Sequence, residues 1–194
     1  LRQRLAHGPD DLHLAAVNGP RATVVGGTPE AIATFIADCA ADQIEVRKID
    51  VDYASHGPPV TAVREELLAA LASLHPRPGQ VPMYSTRTGA PVREGLDAAH
   101  WYGSLREPVQ FHTATRPLLA DGHRLFLEVS PHPVVSLGIE DTAADAGCEI
   151  ATVATLRRDQ GGHRRMLTAL AEAFVRGAPV DWATVLQRGA PVEL

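Results

Sequence analysis

The chain has 194 residues, a net charge of −5 with its histidines neutral, 45% apolar residues and 21% charged residues. Those values belong to a globular chain long enough to bury a full core; they exclude a disordered or fibrous protein and argue against nucleic-acid binding. One lysine (Lys48) and one asparagine (Asn18) stand against seventeen arginines, the bias of a GC-rich genome, and no apolar run reaches the roughly eighteen residues of a membrane span.

Leu1 to His7 reads as the end of a helix stopped by Gly8-Pro9. Leu12–Val17 and Ala22–Val25 are expected as two strands joined through Asn18-Gly19-Pro20, because Asn and Gly tolerate positive φ and Pro fixes the next residue. Thr28 and Pro29 start a helix as N-cap and first helical residue, and Ile32, Phe35, Ile36 and Cys39 form its apolar stripe. Glu45–Val51 is expected as a further strand. The order helix, strand, strand, helix, strand is most of a ferredoxin-like unit lacking its first strand.

Pro58–Leu74 predicts one long amphipathic helix with Val60, Val63, Leu67, Leu71 and Leu74 on a face. Val81–Thr86 predicts a short strand turned at Thr88-Gly89, with helices near Ala98–Leu105 and Ala114–Ala120. Arg124–Val129 and Glu149–Thr155 read as strands around a helix over Val134–Ala146, which argues for a parallel α/β sheet. The tail carries an amphipathic helix (Met166, Leu167, Leu170, Phe174) and a segment centred on Trp182. Two cysteines, Cys39 and Cys148, are too few for a disulfide framework and fit a reducing cytoplasm. The N-terminus has no signal-peptide profile, and a start at Leu1 within a helix leads us to expect a piece of something longer.

Val51-Asp52-Tyr53-Ala54-Ser55-His56 places a histidine at the end of a strand-like run, just before the helix-starting Gly57-Pro58-Pro59. A histidine titrates near pH ~6.5, so it can take and return a proton at physiological pH. A single structural hydrogen bond is the competing account of His56. The other histidines lie beside Arg, Pro or Asp, and none has zinc-ligand spacing, so no metal site is expected. None of the serines sits in a Gly-x-Ser-x-Gly elbow. Ser55 neighbours His56, but consecutive strand residues face opposite sides. Gly26-Gly27-Thr28 is ordinary helix capping rather than a phosphate cradle, and Trp101-Tyr102 is expected to pack in the core or under a lid.

Six motifs then fall in one order. AAVNGP (15–20), VDYASH (51–56), MYSTRTG (83–89), WYGSLREPVQF (101–111), FLEVSPHPVV (126–135) and TLRRD (155–159) resemble the C-terminal half of a modular polyketide synthase acyltransferase domain. The resemblance implies an α/β-hydrolase-like large subdomain, here partial, with most of a ferredoxin-like small subdomain. Residues 1–50 would belong to the small subdomain, 51–155 to the large one, and 156–194 to a linker that docks the ketosynthase domain of the same synthase.

It further implies serine–histidine acyl transfer, in which a serine outside this chain takes an extender unit from its CoA thioester and passes it to an acyl carrier protein. His56 matches the family's general acid/base, and a backbone carbonyl in the 130–134 loop is expected to hold its other ring nitrogen. Tyr53, Ala54 and Ser55 match the motif associated with methylmalonyl-CoA, where malonyl-selective relatives carry His-Ala-Phe-His; Ser55 in place of Phe leaves room for the α-methyl group. No cofactor is expected to bind directly, phosphopantetheine being supplied by the carrier protein. The family's Gly-His-Ser-x-Gly motif, oxyanion-hole glutamine and carboxylate-pairing arginine are not in this chain, and neither Arg106 nor Arg116 is assigned to that role. Ser104 stands where the family's Trp-Tyr-x-Asn-Leu-Arg run has asparagine. Alone, the chain is expected to be inactive. A non-catalytic docking fragment and a stand-alone hydrolase using Ser55 or Ser130 are the alternatives.

Overall fold

Asn18-Gly19-Pro20 turns the first two strands back on each other in the computed structural model, which describes residues 4–5, 11–51, 53, 55–93 and 95–186. β1 (His13–Val17) and β2 (Thr23–Gly26) pair antiparallel, with Leu14 opposite Val25 and Val17 opposite Thr23, and an irregularity between Leu14 and Ala16. The turn closes through the Asn18 amide donating to the Ala22 carbonyl at 2.8 Å. The helix end expected over 1–7 lies largely outside the described residues.

The chain divides into two compact units, Leu1–Asp121 and Gly122–Leu194. The Val17 amide donates to the Val109 carbonyl at 2.8 Å and the Val109 amide to the Ala15 carbonyl at 2.9 Å, which stitches β1 to a later segment.

In the first unit α1 (Pro29–Ala41) begins as expected: Thr28 Oγ1 accepts from the Ala31 amide at 3.4 Å, and Pro29 occupies the first turn. It buries Ala31 and Cys39, with Ile32, Phe35 and Ile36 half-buried beside them. It stops in a Schellman turn, with Gln43 at φ +58° and the Ile44 amide reaching back to the Cys39 carbonyl at 2.9 Å.

Two expectations fail here. Residues 45–51 form no strand: Ile49 and Val51 are each 56% exposed, and no other segment among the described residues pairs with them. An alternating pattern marks a strand only where a partner supplies the ladder. The helix predicted over 58–74 is a 3-10 turn, Pro58–Val63, followed by α2 (Arg64–Ala70). Pro58 and Pro59 lack amide donors, and the first bond is the i→i+3 link from the Val60 amide to the Gly57 carbonyl. α2 buries no residue fully, and Pro76 disfavours helical backbone at His75.

β3 (Tyr84–Ser85) and β4 (Ala90–Pro91) form a hairpin, turned through Gly89 at φ +68°, rather than a strand of the parallel sheet. α3 (Ala98–Arg106) is capped by Asp97, whose carboxylate accepts from the His100 amide at 2.8 Å. α4 (Phe111–Ala120) follows. Trp101 is 44% exposed rather than buried, while the Tyr102 ring lies 5.6 Å from the Arg64 guanidinium.

The second unit is a βαβ element. β5 (Leu125–Glu128) and β6 (Ala151–Ala154) pair parallel, joined through α5 (Ser136–Asp145). α6 (His163–Phe174) buries Ala169 and Ala173, and Arg165 ties it to β6 by donating to the Ala154 carbonyl at 2.6 Å. The Phe174 ring meets Trp182 edge-on at 5.6 Å, at the start of α7 (Trp182–Val185). Among the described residues no helix is long and apolar enough to cross a membrane.

Candidate active site

His56 sits in a bend, not on a strand, with φ +55°. The left-handed region is uncommon for a residue with a side chain, and it persists only where neighbours fix it. Both fixing contacts come from the C-terminal end of α3. The His56 amide donates to the Leu105 carbonyl at 2.7 Å, and His56 Nδ1 lies 3.1 Å from the Glu107 carbonyl.

The carbonyls at a helix C-terminus have no partner within the helix, which leaves these two available. Glu107 precedes Pro108 and adopts ψ 155°, ending α3. A carbonyl can only accept, so Nδ1 is the protonated nitrogen and Nε2 of the neutral ring keeps its lone pair. The anchor is therefore Glu107, not the 130–134 loop. No residue type marks a backbone carbonyl, and the one available clue was Pro108, which stops a helix whose last turn carries unpaired acceptors.

Ser55 beside it is half-buried, Tyr53 is 68% exposed, and Ala54 lies outside the described residues. Gly57 is buried against His13 of β1: a methyl at position 57 would fall 1.9 Å from His13 Nε2. Burial holds the His13 imidazole below a histidine's ordinary range, and Arg106 pushes the same way, against a hydrogen bond that the ring donates to the backbone of Asp11. A cavity of about 340 Å³ opens next to it, lined by Asp11, Leu12, His13, Thr28, Pro58 and Pro59. His56 does not line it. Thr28 is occupied by its capping bond and by Asp11, 3.5 Å from its hydroxyl, as expected of a helix cap.

Ser130, offered above as a hydrolase nucleophile, has the Glu128 carboxylate at 3.2 Å and the His132 carbonyl at 2.9 Å from its hydroxyl. Neither is an imidazole, and His132 Nδ1 accepts from the Arg158 amide at 3.2 Å. Ser130 is a loop-closing residue in a network centred on Glu128. That buried carboxylate accepts from the amides of Val134 (2.6 Å), Val135 (3.2 Å) and Ser136 (2.8 Å) and from Ser136 Oγ (2.6 Å). Burial favours its protonated form, and these donors outweigh it, so Glu128 is held below the usual carboxylate range. Among the described residues no group of three or more His, Cys, Asp or Glu side chains is arranged to hold a metal ion.

A family model described as an acyl transferase domain matches residues 1–180. An erythronolide synthase of Saccharopolyspora erythraea is 45% identical over 197 residues, covering 99% of this chain and 6% of that protein. A spectinabilin polyketide synthase system protein of Streptomyces orinoci is 50% identical over 183 residues, covering 94% of this chain and 5% of that protein. The acyltransferase domain from module 8 of the salinomycin polyketide synthase superposes with a TM-score of 0.90 at 48% identity, over 94% of this chain and 44% of that one. A loading acyltransferase from the avermectin synthase gives 0.80 at 40% identity, over 91% and 56%. The chain thus spans under a tenth of those curated relatives and about half of those solved domains. The fold is the α/β fold of polyketide synthase acyltransferase domains. The match over residues 1–180 and these relatives together show that the chain belongs to the acyl transferase domain family.

Proposed function

We propose that this chain supplies the histidine half of a serine–histidine acyl transfer within a modular polyketide synthase. The single observation that supports it best is the anchored ring: Nδ1 on the Glu107 carbonyl leaves Nε2 free as a base. A serine outside residues 1–194 gives its proton to Nε2 as its oxygen attacks the acyl-CoA thioester. The tetrahedral adduct collapses, the C–S bond breaks, and the departing thiolate takes the proton from His56. In the second half the phosphopantetheine thiol of an acyl carrier protein gives its proton to Nε2 and attacks the acyl-serine. The serine oxygen leaves and recovers the proton. The Glu107 carbonyl holds the ring through both halves and carries part of the charge that develops on it.

The extender unit is methylmalonyl. Tyr53 and Ser55 form the wall against the α-carbon, with Ser55 leaving the space that phenylalanine would fill. Residues 1–50 belong to the small subdomain, 51–155 to the large one, and 156–194 to the linker facing the ketosynthase domain. The chain works in the cytoplasm and binds no cofactor of its own.

The test is acyl transfer by the synthase polypeptide that carries this chain, offered methylmalonyl-CoA and malonyl-CoA together with its carrier protein. His56→Ala should lower transfer about a thousandfold. Undiminished transfer by that variant would remove His56 from the mechanism, and equal use of the two thioesters would remove the substrate assignment.

A further inference from the structure

The β3–β4 hairpin takes no part in the chemistry above, yet it grips the segment on which His56 hangs. Arg87, in its turn, donates through Nη2 to Glu107 Oε1 at 2.8 Å. Gln110 Nε2 donates to the Arg87 carbonyl at 2.9 Å, and the Gln110 amide to the Thr86 carbonyl at 2.6 Å. Glu107 is thus held twice: its side chain by Arg87, its main-chain carbonyl by the imidazole.

The guanidinium is itself seated. Its Nε is buried without a partner among the described residues, and it lies over Gly103 of α3, where a methyl group would fall 2.3 Å from Nε. A partly exposed ion pair adds little to folding stability. This one is worth more as a fixture, because peptide planes are rigid. With the Glu107 side chain fixed and Pro108 limiting the next rotation, the 107–108 plane has little freedom to swing its carbonyl off Nδ1.

We infer that Arg87 is a positioning residue for His56, keeping the Glu107 carbonyl on Nδ1 and so keeping Nε2 as the unprotonated nitrogen. This rests on the reading of His56 as the transfer base. Three variants separate it from a packing effect. Arg87→Met removes the ion pair. Gly103→Ala evicts the guanidinium without changing any charge, while favouring helix at position 103. The paired change Arg87→Glu with Glu107→Arg restores the pair reversed.

The readout is the nitrogen-15 spectrum of His56 in the full 194-residue chain, assigned by its loss in His56→Ala. The wild type should show the Nδ1–H form. Arg87→Met and Gly103→Ala should each give a mixture of tautomers, with Nδ1 proton exchange about tenfold faster, and the reversed pair should return the wild-type spectrum. In the synthase, Arg87→Met should lower kcat about tenfold with KM unchanged. Unaltered His56 spectra in both single variants, or no recovery in the reversed pair, would overturn the inference. Altered spectra alongside normal transfer by His56→Ala would instead condemn the catalytic reading and leave the positioning intact.

Discussion

The imidazole of His13 occupies the space that a side chain at position 57 would fill, and it presses on Gly26 in the same way. A methyl at Gly57 would lie 1.9 Å from His13 Nε2, and one at Gly26 would lie 2.6 Å from the same atom. Glycine at 57 is required by this close approach, not by its backbone angle, since φ −162° is open to any residue. Gly57→Ala should therefore cost about 1–3 kcal/mol, the range for overpacking a filled site. Its neighbour His56 should shift with it, lowering transfer. Adding His13→Ala to Gly57→Ala should recover most of the lost stability in a thermal-melt series, and a double variant no better than the single would show that another group blocks position 57.

His13 also gives the chain a sensitivity to mild acid. Its folded-state value lies below the ordinary 6.5, so the unfolded chain binds the proton more readily. That contribution to stability is complete above the unfolded value and is lost as the pH falls through the folded one. Urea midpoints compared at about pH 7.5 and about pH 5 should drop less for His13→Gln than for the wild type. Parallel drops would place the sensitivity elsewhere.

A second acid transition belongs to the other unit. Glu128 is depressed below its reference of 4.5, so its contribution is full above that value and lost as the pH falls further. Glu128→Gln leaves one acceptor for the amides of Val134, Val135 and Ser136, and it should destabilise the unit by about 3 kcal/mol at neutral pH. The wild-type loss of stability below pH 4.5 should be blunted in that variant. Denaturant titrations followed at Trp182, which lies in the same unit, measure both effects.

Substrate choice provides a fourth check. Ser55→Phe should turn preference from methylmalonyl toward malonyl by about tenfold or more, since one methyl group is worth ~1–3 kcal/mol in a fitted pocket. Competition between the two thioesters in the synthase measures it. An unchanged ratio would take Ser55 out of the wall.

Local chemistry was legible where it acts locally. Thr28-Pro29 specifies a cap through its own chemistry, and the turn at Asn18-Gly19-Pro20 appears where it was read, although neither Asn18 nor Gly19 takes the positive φ expected of it. Residues 45–51 carried a strand pattern as clear as that of β1, but a strand exists only with a partner, and pattern says nothing of partners. The helix over 58–74 had the right apolar spacing, but Pro58 and Pro59 make its first half a 3-10 turn and the helical backbone ends at Ala70. At the site, His56 announced itself by residue type, whereas its anchor is a main-chain oxygen. The helix read over 134–146 is α5, but the group that caps its start was hidden for a related reason: Glu128 lies eight residues before Ser136, on β5.

α3 acts as a ruler. Its nine residues span about 13.5 Å from the Asp97 cap, and the far end delivers two carbonyls to one residue, Leu105 to the amide of His56 and Glu107 to its ring. Removing a single residue from 98–106 would turn that end by about 100° and draw it back about 1.5 Å, taking both oxygens off His56 together. Substitutions along the exposed side of α3 are open to drift, but its length is not.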